Sequence, residues 1–591
     1  MLWLTNDLKL ALGFKGLERM VLFMSKTVFL SEFGIFPDTG EDCSEKLQKV
    51  FDDLEDGTVL HFKKGTYCIF KVIDIKDKKN IQILGNRCTV IAHFDPCGKI
   101  WGNNDVFNFV SCEDVTVQGF FFNTDNPIGA TGEVVGIDLE NGTLDVKLYD
   151  EFPVTGFEHF VGTNSFDELG SPDYAIATLN HTITEQEFTA PDGKKATRLV
   201  ALDYDVIAPQ TVRLKSINNP DNKRPIKLGH LINFRYEVYG NTIFEFWSCH
   251  RFLLKDIVIY GAASFGATVR PRSSDFVFDN FCIRVPEGSK RLKAANADGI
   301  HLLGLYGTLT LRNCNIEGLG DDTLNIHGIA GEVYGLDKEN KSLSFIGPER
   351  RKKKNLPDLW ACEDDEIVVY DRNTFLKKGS FKVKTVSDTV DAEYYDLKGE
   401  IADGDIIANT KYYASVHVDG CTLRNTRARG ILLQTQNILI ENSYIYGMSL
   451  PAMLFAPDIR VWYEVGPCKN VEIRNNVLEY NAHYHNGANV GAIVFKACHD
   501  VGGNDYPAGV HENIYIHDNL FKDNGNSGIY ISAAKDVRIE NNTFKGNCAS
   551  PQNPDLPHAF YDIVTVNCEN VSVSGNLTDR GDDKLYIDIK E

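Results

Sequence analysis

Several familiar signals are missing from this sequence, and each absence narrows what the chain can be. No stretch approaches the roughly 18 uncharged apolar residues of a membrane span, so no membrane partner is expected. The 14 cysteines contain no CxxC pair and no dense short-range pattern, which removes zinc modules and disulfide scaffolds; they read as small buried residues of a reducing compartment. Basic side chains are scarce: 61 Lys and Arg stand against 82 Asp and Glu, a net charge of −21. A dense cationic surface is therefore absent, and nucleic acid is excluded as a partner. No HExxH, no GxSxG and no glycine-rich phosphate loop occurs, so metalloprotease, serine hydrolase and nucleotide-transfer chemistry lack support. The first thirty residues break their apolar stretches with Asp7, Lys9, Lys15, Glu18, Arg19 and Lys26 and present no export signal, from which a cytoplasmic location is expected. A start at Met20 or Met24 leaves that reading unchanged.

What the sequence has in abundance is repetition, which decides the fold before any single motif does. Two alternating apolar residues, an Asn, Asp or Gly bend, and another apolar pair recur as VTVQGFFF from Val115, FVFDNFCI from Phe276, LTLRNCNI from Leu309 and VHVDGCTL from Val416. Further copies start at Ile438, Val471, Ile514, Val537 and Val571. Each unit is a period-2 strand, a tight polar bend and a second strand, followed by a third such as GIHLLG, GILLQT or GIYISA. One such rung cannot bury its inward face alone. Stacked at the strand spacing of about 4.8 Å, rungs build a right-handed parallel β-helix of the all-β, pectin-lyase-like class, with asparagine at bends that need left-handed backbone. An antiparallel β-sandwich is the alternative.

The predicted organisation runs from an N-terminal extension (1–30) to a capping helix with the first rungs (31–126). In DCSEKLQKVFDDL, Asp42 and Glu45 read as a capping box, while Leu47, Val50, Phe51 and Leu54 share one helical face. Two stretches lack the rung pattern, 127–232 and 329–412, and share a sentence: GEVVGIDLENGTL from Gly132 and GEVYGLDKENKSL from Gly331. They read as duplicated antiparallel β inserts, flanked by rungs over 233–328 and 413–591. Charge runs such as Glu349 to Lys354 read as solvated loop faces.

Chemistry concentrates where NADGIHLLG and GDDTLNIHG are aligned by their inward residues, Ile300 over Leu324 and Leu302 over Ile326. Asp298 then lies over Asp322, Ala297 over Asp321 and His301 over Asn325. The next strand of this type, RARGILLQT, places Ile431 over Leu324, hence Arg429 over Asp322 and Leu432 over Asn325. Three carboxylates so close cannot all ionise cheaply, so at least one is disposed to hold a proton. Glycoside cleavage needs that division between a proton donor and an ionised partner. Asp298, Asp321 and Asp322 are the catalytic candidates. His301, Asn325, His327, Arg270, Arg427, Arg429, Gln434 and Trp462 are the substrate-binding candidates; Arg272, and Tyr463 beside Trp462 as a second stacking ring, accompany them. Each of these also has a plain structural reading as a core, turn or solvated residue.

With NADGIH, GDDTLNIHG, TRARGILLQ and the two GEV inserts on the page, the chain resembles glycoside hydrolase family 110, the α-1,3-galactosidases of gut and marine bacteria. The resemblance covers most of the chain after about residue 28. It implies exo-hydrolysis of terminal α-1,3-linked galactose on branched blood group B-type glycans, and in one subfamily linear ones, with inversion, no metal and no cofactor. The expected partner is a galactose-terminated oligosaccharide, alongside a homodimer. It also implies Asp321 as general acid, with Asp298 and Asp322 sharing the activation of water. Polygalacturonases of family 28 match at Asn-Ala-Asp and Asp-Asp only: no Gly-His-Gly follows, and Val537-Arg538-Ile539-Glu540 has Glu where their late motif has Lys. A calcium-dependent lyase and a glycan-binding β-helix without catalysis remain the other readings.

Overall fold

The computed structural model describes residues 26–94, 105–138, 140–152, 186–189, 195–199, 203–215, 227–235, 240–346, 361–386, 391–459, 462–483, 490–497, 506–549 and 560–590. The Glu349 to Lys354 charge run and the first 25 residues lie outside them.

The period-2 pattern folds as read: the chain is a parallel β-helix. Strands of successive rungs pair in parallel, as in Phe276 with Leu309, Leu309 with Val416, Val416 with Ile438 and Ile438 with Val471. First and second strands form one large sheet. Third strands form another, running from Ile73–Lys76 through Phe244–Trp247, Ala267–Val269, Ile300–Leu303 and Ile431–Gln434 to Tyr586–Ile589. Alternation sends every second side chain inward, so like residues stack at rung spacing. Phe252 and Phe276 lie 5.3 Å apart at 9°, Phe455 and Phe495 4.1 Å apart at 4°, and Phe521 and Phe544 4.8 Å apart at 12°.

Paired asparagines do two jobs at the bends. The first takes the left-handed conformation, as in Asn475 (φ 54°) and Asn541 (φ 55°). The second turns inward and joins a ladder: Asn476 Nδ2 donates to Asn519 Oδ1, Asn519 to Asn542 and Asn542 to Asn576, each at 3.0 Å. The ladder satisfies buried amides along the axis, where an unpaired polar group would cost about 1–3 kcal/mol. The described cysteines are all free thiols.

A helix, Ser44–Asp52, packs Leu47, Val50 and Phe51 into the first rungs, with Leu54 just beyond its end. The expected capping box is not formed. Asp42 sits one residue too early, where its Oδ1 accepts from Ser44 N (3.0 Å) and Phe70 N (3.2 Å), and Glu45 turns outward to Lys71.

Both inserts are antiparallel β modules. In the first, Gly129–Asp138 pairs with Thr143–Leu148 and with Leu231–Arg235. In the second, Leu324–Asp337 pairs with Ser342–Ile346 and with Ile406–Asn409. Their shared sentence is a shared turn: Asn141 donates to Asp138 with N at 3.0 Å and Nδ2 at 2.7 Å, and Asn340 donates to Asp337 at the same two distances.

Candidate active site

Three third strands carry the site in the register read from the sequence. Ile300 pairs with Leu324 and Leu324 with Ile431, while His301 pairs with Asn325 and Asn325 with Leu432. Inward residues of these strands enter the solenoid core, so His301, Asn325 and His327 face out, just past the carboxylates at the strand starts. Gly299 is required here: a Cβ on it would lie 2.7 Å from Thr323 O, and the rungs would separate.

Asp298, Asp321 and Asp322 converge, each offering an oxygen within 4.8 Å of the others. They differ in access. The Asp322 and Asp298 side chains are 1% and 7% exposed, that of Asp321 35%. Asp322 accepts two hydrogen bonds from the Arg429 guanidinium (2.7 and 2.8 Å) and one from Arg429 N (2.9 Å). Burial raises its carboxyl to about 8, with the two neighbouring aspartates adding to the rise and Arg429 drawing it back. The two-point guanidinium contact favours the ionised form against that rise. Asp298 has no such cation in contact. Burial, with the charge of Asp321 adding, raises it well above the usual carboxylate range. Its Oδ1 accepts from Asp322 N at 3.1 Å, and its Oδ2 lies 2.7 Å from His301 Nδ1.

Two histidines extend from the cluster: Nδ1 of His327 is 2.8 Å from Gly328 O, an acceptor, and its Nε2 faces both His301 Nε2 (3.3 Å) and Glu464 Oε1 (3.6 Å), so that His301 links Asp298 to His327. Both histidines are substrate-binding candidates in the sequence; the contacts that tie them to each other and to Asp298 need three dimensions.

Arg427 donates from Nε to Gly320 O and lies 4.0 Å from Asp321, which Arg429 approaches to 3.9 Å. Gln434 donates to Glu464 at 3.1 Å. Buried Asn325 Oδ1 and Gln434 Oε1 have no partner, acceptors poised for a hydroxyl-bearing ligand. Arg270 stands further along the sheet, on Glu245 (2.8 Å) and over the Trp247 ring (5.5 Å). Arg272 sits in a turn (φ 67°) with its Nε buried and unpaired. Trp462 is half-buried, two residues before Glu464. Tyr463 does not stack on a sugar as expected: it is buried, and its hydroxyl donates to Glu332 at 2.9 Å, because the strand Glu464–Val465 pairs against Gly328–Ile329 and turns the ring into the second module.

Sequence reading missed four participants. Glu464 reaches the site from an antiparallel return strand, which no parallel register foretells. Asn296 donates to Ile128 O of the first module at 2.8 Å. Glu245 was findable by extending the register, since it pairs with Thr268 and Thr268 with His301. Its neighbour Asp105 is pushed up to about 8 by burial and by Glu245. Burial raises Glu245 as well, but Arg270 and Asp105 outweigh it and leave that carboxyl low.

Among the described residues two clusters have the donor set for a cation, the three aspartates and His417, Asp419 with Glu441. In each an arginine already supplies positive charge, Arg429 in the first and Arg474 in the second.

A parallel β-helix here bears a buried carboxylate cluster, a paired arginine and a histidine on its third sheet, and the relatives of the chain make it a glycoside hydrolase. Residues 406–578 match the model for a right handed beta helix region. Over 82% of this chain and 71% of its own length, alpha-1,3-galactosidase A of Peterkaempfera griseoplana is 27% identical. Alpha-1,3-galactosidase B of Bacteroides thetaiotaomicron is 23% identical over 84% of this chain and 82% of its own length. For alpha-1,3-galactosidase A of Bacteroides fragilis the values are 22%, 93% and 92%. The resemblance to glycoside hydrolase family 110 is thereby borne out.

Proposed function

We propose that the chain is an exo-acting α-1,3-galactosidase that hydrolyses terminal α-1,3-linked galactose from glycans, of which branched blood group B-type structures are the first to test and linear ones the second. The observation that carries the reading is the unequal trio of carboxylates on neighbouring rungs, in a chain whose relatives are named as α-1,3-galactosidases. Asp321 is the member open enough to reach a leaving oxygen, and it acts as general acid. Asp322, held by Arg429, deprotonates the attacking water, and Asp298, buried beside His301, helps to order it. Arg427 and Arg429 balance the negative charge as it redistributes.

Direct inversion calls for acid and base about 6.5–9.5 Å apart, and retention for about 5–5.5 Å. The closest oxygens here lie within 4.8 Å. Inversion therefore requires Asp321 to swing from the buried pair when sugar and water enter, which its long contacts of 3.9 and 4.0 Å to the arginines allow. Proton NMR of the sugar released from an α-1,3-galactosyl oligosaccharide tests all of this. β-Galactose appearing first supports inversion, α-galactose first replaces it with retention, and no release from branched or linear substrate overturns the activity.

A further inference from the structure

A groove of about 750 Å³ opens on the outside of the solenoid, at the bend between first and second strands of the early rungs. Its origin is local: the bends are made by residues with positive φ, among them Asn86 (51°), Gly119 (80°), Asp256 (53°) and Asn280 (52°), which draw the backbone inward and leave a valley. It lies on the large sheet of first and second strands, whereas the aspartates sit on the sheet of third strands.

The lining is built and mixed. Asp256 accepts from Gln118 Nε2 (3.0 Å) and Asn280 Nδ2 (2.8 Å), fixing amides of neighbouring rungs in one orientation. Phe121 lines the groove, with Arg87 5.6 Å above its ring; Tyr260 stacks on Phe121 at 6.3 Å and carries Arg284 at 5.7 Å. Two polar atoms of this lining are buried and have no partner: Arg284 Nε, a donor, and Asn315 Oδ1, an acceptor. They lie on adjacent strands, since Asn315 pairs with Cys282, two residues before Arg284. An unsatisfied donor and an unsatisfied acceptor in one lining call for a ligand that both accepts and donates, and an aromatic wall calls for one with an apolar face. Vicinal hydroxyls on a pyranose ring meet both demands. In the lining, Asp256 offsets one of the two arginine charges.

We propose that this groove is a second glycan site, binding a neutral oligosaccharide apart from the aspartate cluster and tethering the enzyme to a multivalent substrate. The proposed activity enters only in the choice of sugar. Isothermal titration of the Asp321→Asn chain with a neutral galactose-terminated oligosaccharide is expected to give two sites, falling to one when Arg284→Ala and Asn315→Ala are added. A single site in both chains, lost with neither substitution, overturns the proposal, as does binding of polygalacturonate in preference to the neutral sugar. In the unsubstituted chain, alkylation of half-buried Cys282 is expected to slow about tenfold at sugar concentrations ten times Kd, by occupancy alone; an unchanged rate overturns the proposal without any question of misfolding. The Arg284→Ala, Asn315→Ala chain should keep kcat/KM on a monovalent galactoside and show KM raised about tenfold on a galactose-bearing glycoprotein. If no substrate is cleaved by any chain, the proposed activity has failed, and the titration and alkylation still decide the groove.

Discussion

The two inserted modules share a hairpin, a turn and a sentence, yet they hold the active site by different means. The second is continuous with it: one strand, Leu324–Asp337, begins as a rung beside Asp322 and ends in the module sheet. Leu303 of the catalytic rung packs into that module's core, and Glu332 is tied to Tyr463 and Arg372. The first module touches the site from the side. Ile128 O receives Asn296, two residues before Asp298, and Thr131 Oγ1 receives Leu292 N at 3.3 Å. Its Glu133, at the position equivalent to Glu332, lines a cavity of about 480 Å³ with Tyr149 and Lys290 instead of an anchor. Duplicated modules thus brace opposite halves of one cluster, the second by backbone continuity for Asp321 and Asp322, the first by side-chain clamps for Asp298.

The largest expected effect tests the half that the second module carries. Asp321→Asn should lower kcat about 10³-fold, in the range for loss of a general acid, with the thermal midpoint unmoved, as galactose release and calorimetry would show. Activity within tenfold of wild type would remove Asp321 from the reaction. Next, Asp322→Ala strands the Arg429 guanidinium, for a loss of about 3 kcal/mol in chemical denaturation; a quarter of that arginine is solvent-exposed, which places the effect at the lower end for broken buried pairs.

The half carried by the first module should respond in the opposite sense. Folded Asp298 keeps its proton above the unfolded pKa of about 3.9, so the native state binds more protons and stability falls as pH rises from about 4 toward the raised folded value. Asp298→Asn removes that penalty: it should be inactive yet more stable than wild type, by on the order of 1–2 kcal/mol, with a gap that widens as pH rises. A gap that is flat with pH would overturn the raised Asp298 carboxyl. Smaller still are the clamps. Asn296→Ala should cost about 1–3 kcal/mol and lower kcat, since it frees the chain before Asp298, while Tyr463→Phe should cost about 1 kcal/mol and leave kcat nearly unchanged. A larger loss of kcat in Tyr463→Phe would reverse the comparison between the modules. Chelation by EDTA is expected to change nothing, because Arg429 already supplies the positive charge at the cluster.

The sequence by itself determined the solenoid and the register of its catalytic strands. That is because in-register parallel stacking is arithmetic: inward apolar residues must lie over one another, and whatever precedes them is carried along. Ile300 over Leu324 over Ile431 therefore brought Asp298, Asp322 and Arg429 together before any coordinates did. The twin turns of the modules were legible too, since each is closed by side chains three residues apart. Tertiary structure alone decided which carboxylate is exposed and which is raised by burial, because exposure and rotamer depend on what packs above the rung. It also decided that Glu464 returns to the site, that Tyr463 faces a module instead of a sugar, and that Asn296 reaches Ile128. Each of those contacts joins an insert to a rung or crosses an antiparallel return. Periodicity along the chain reports the stacking direction only, and says nothing of how a module folds back across it.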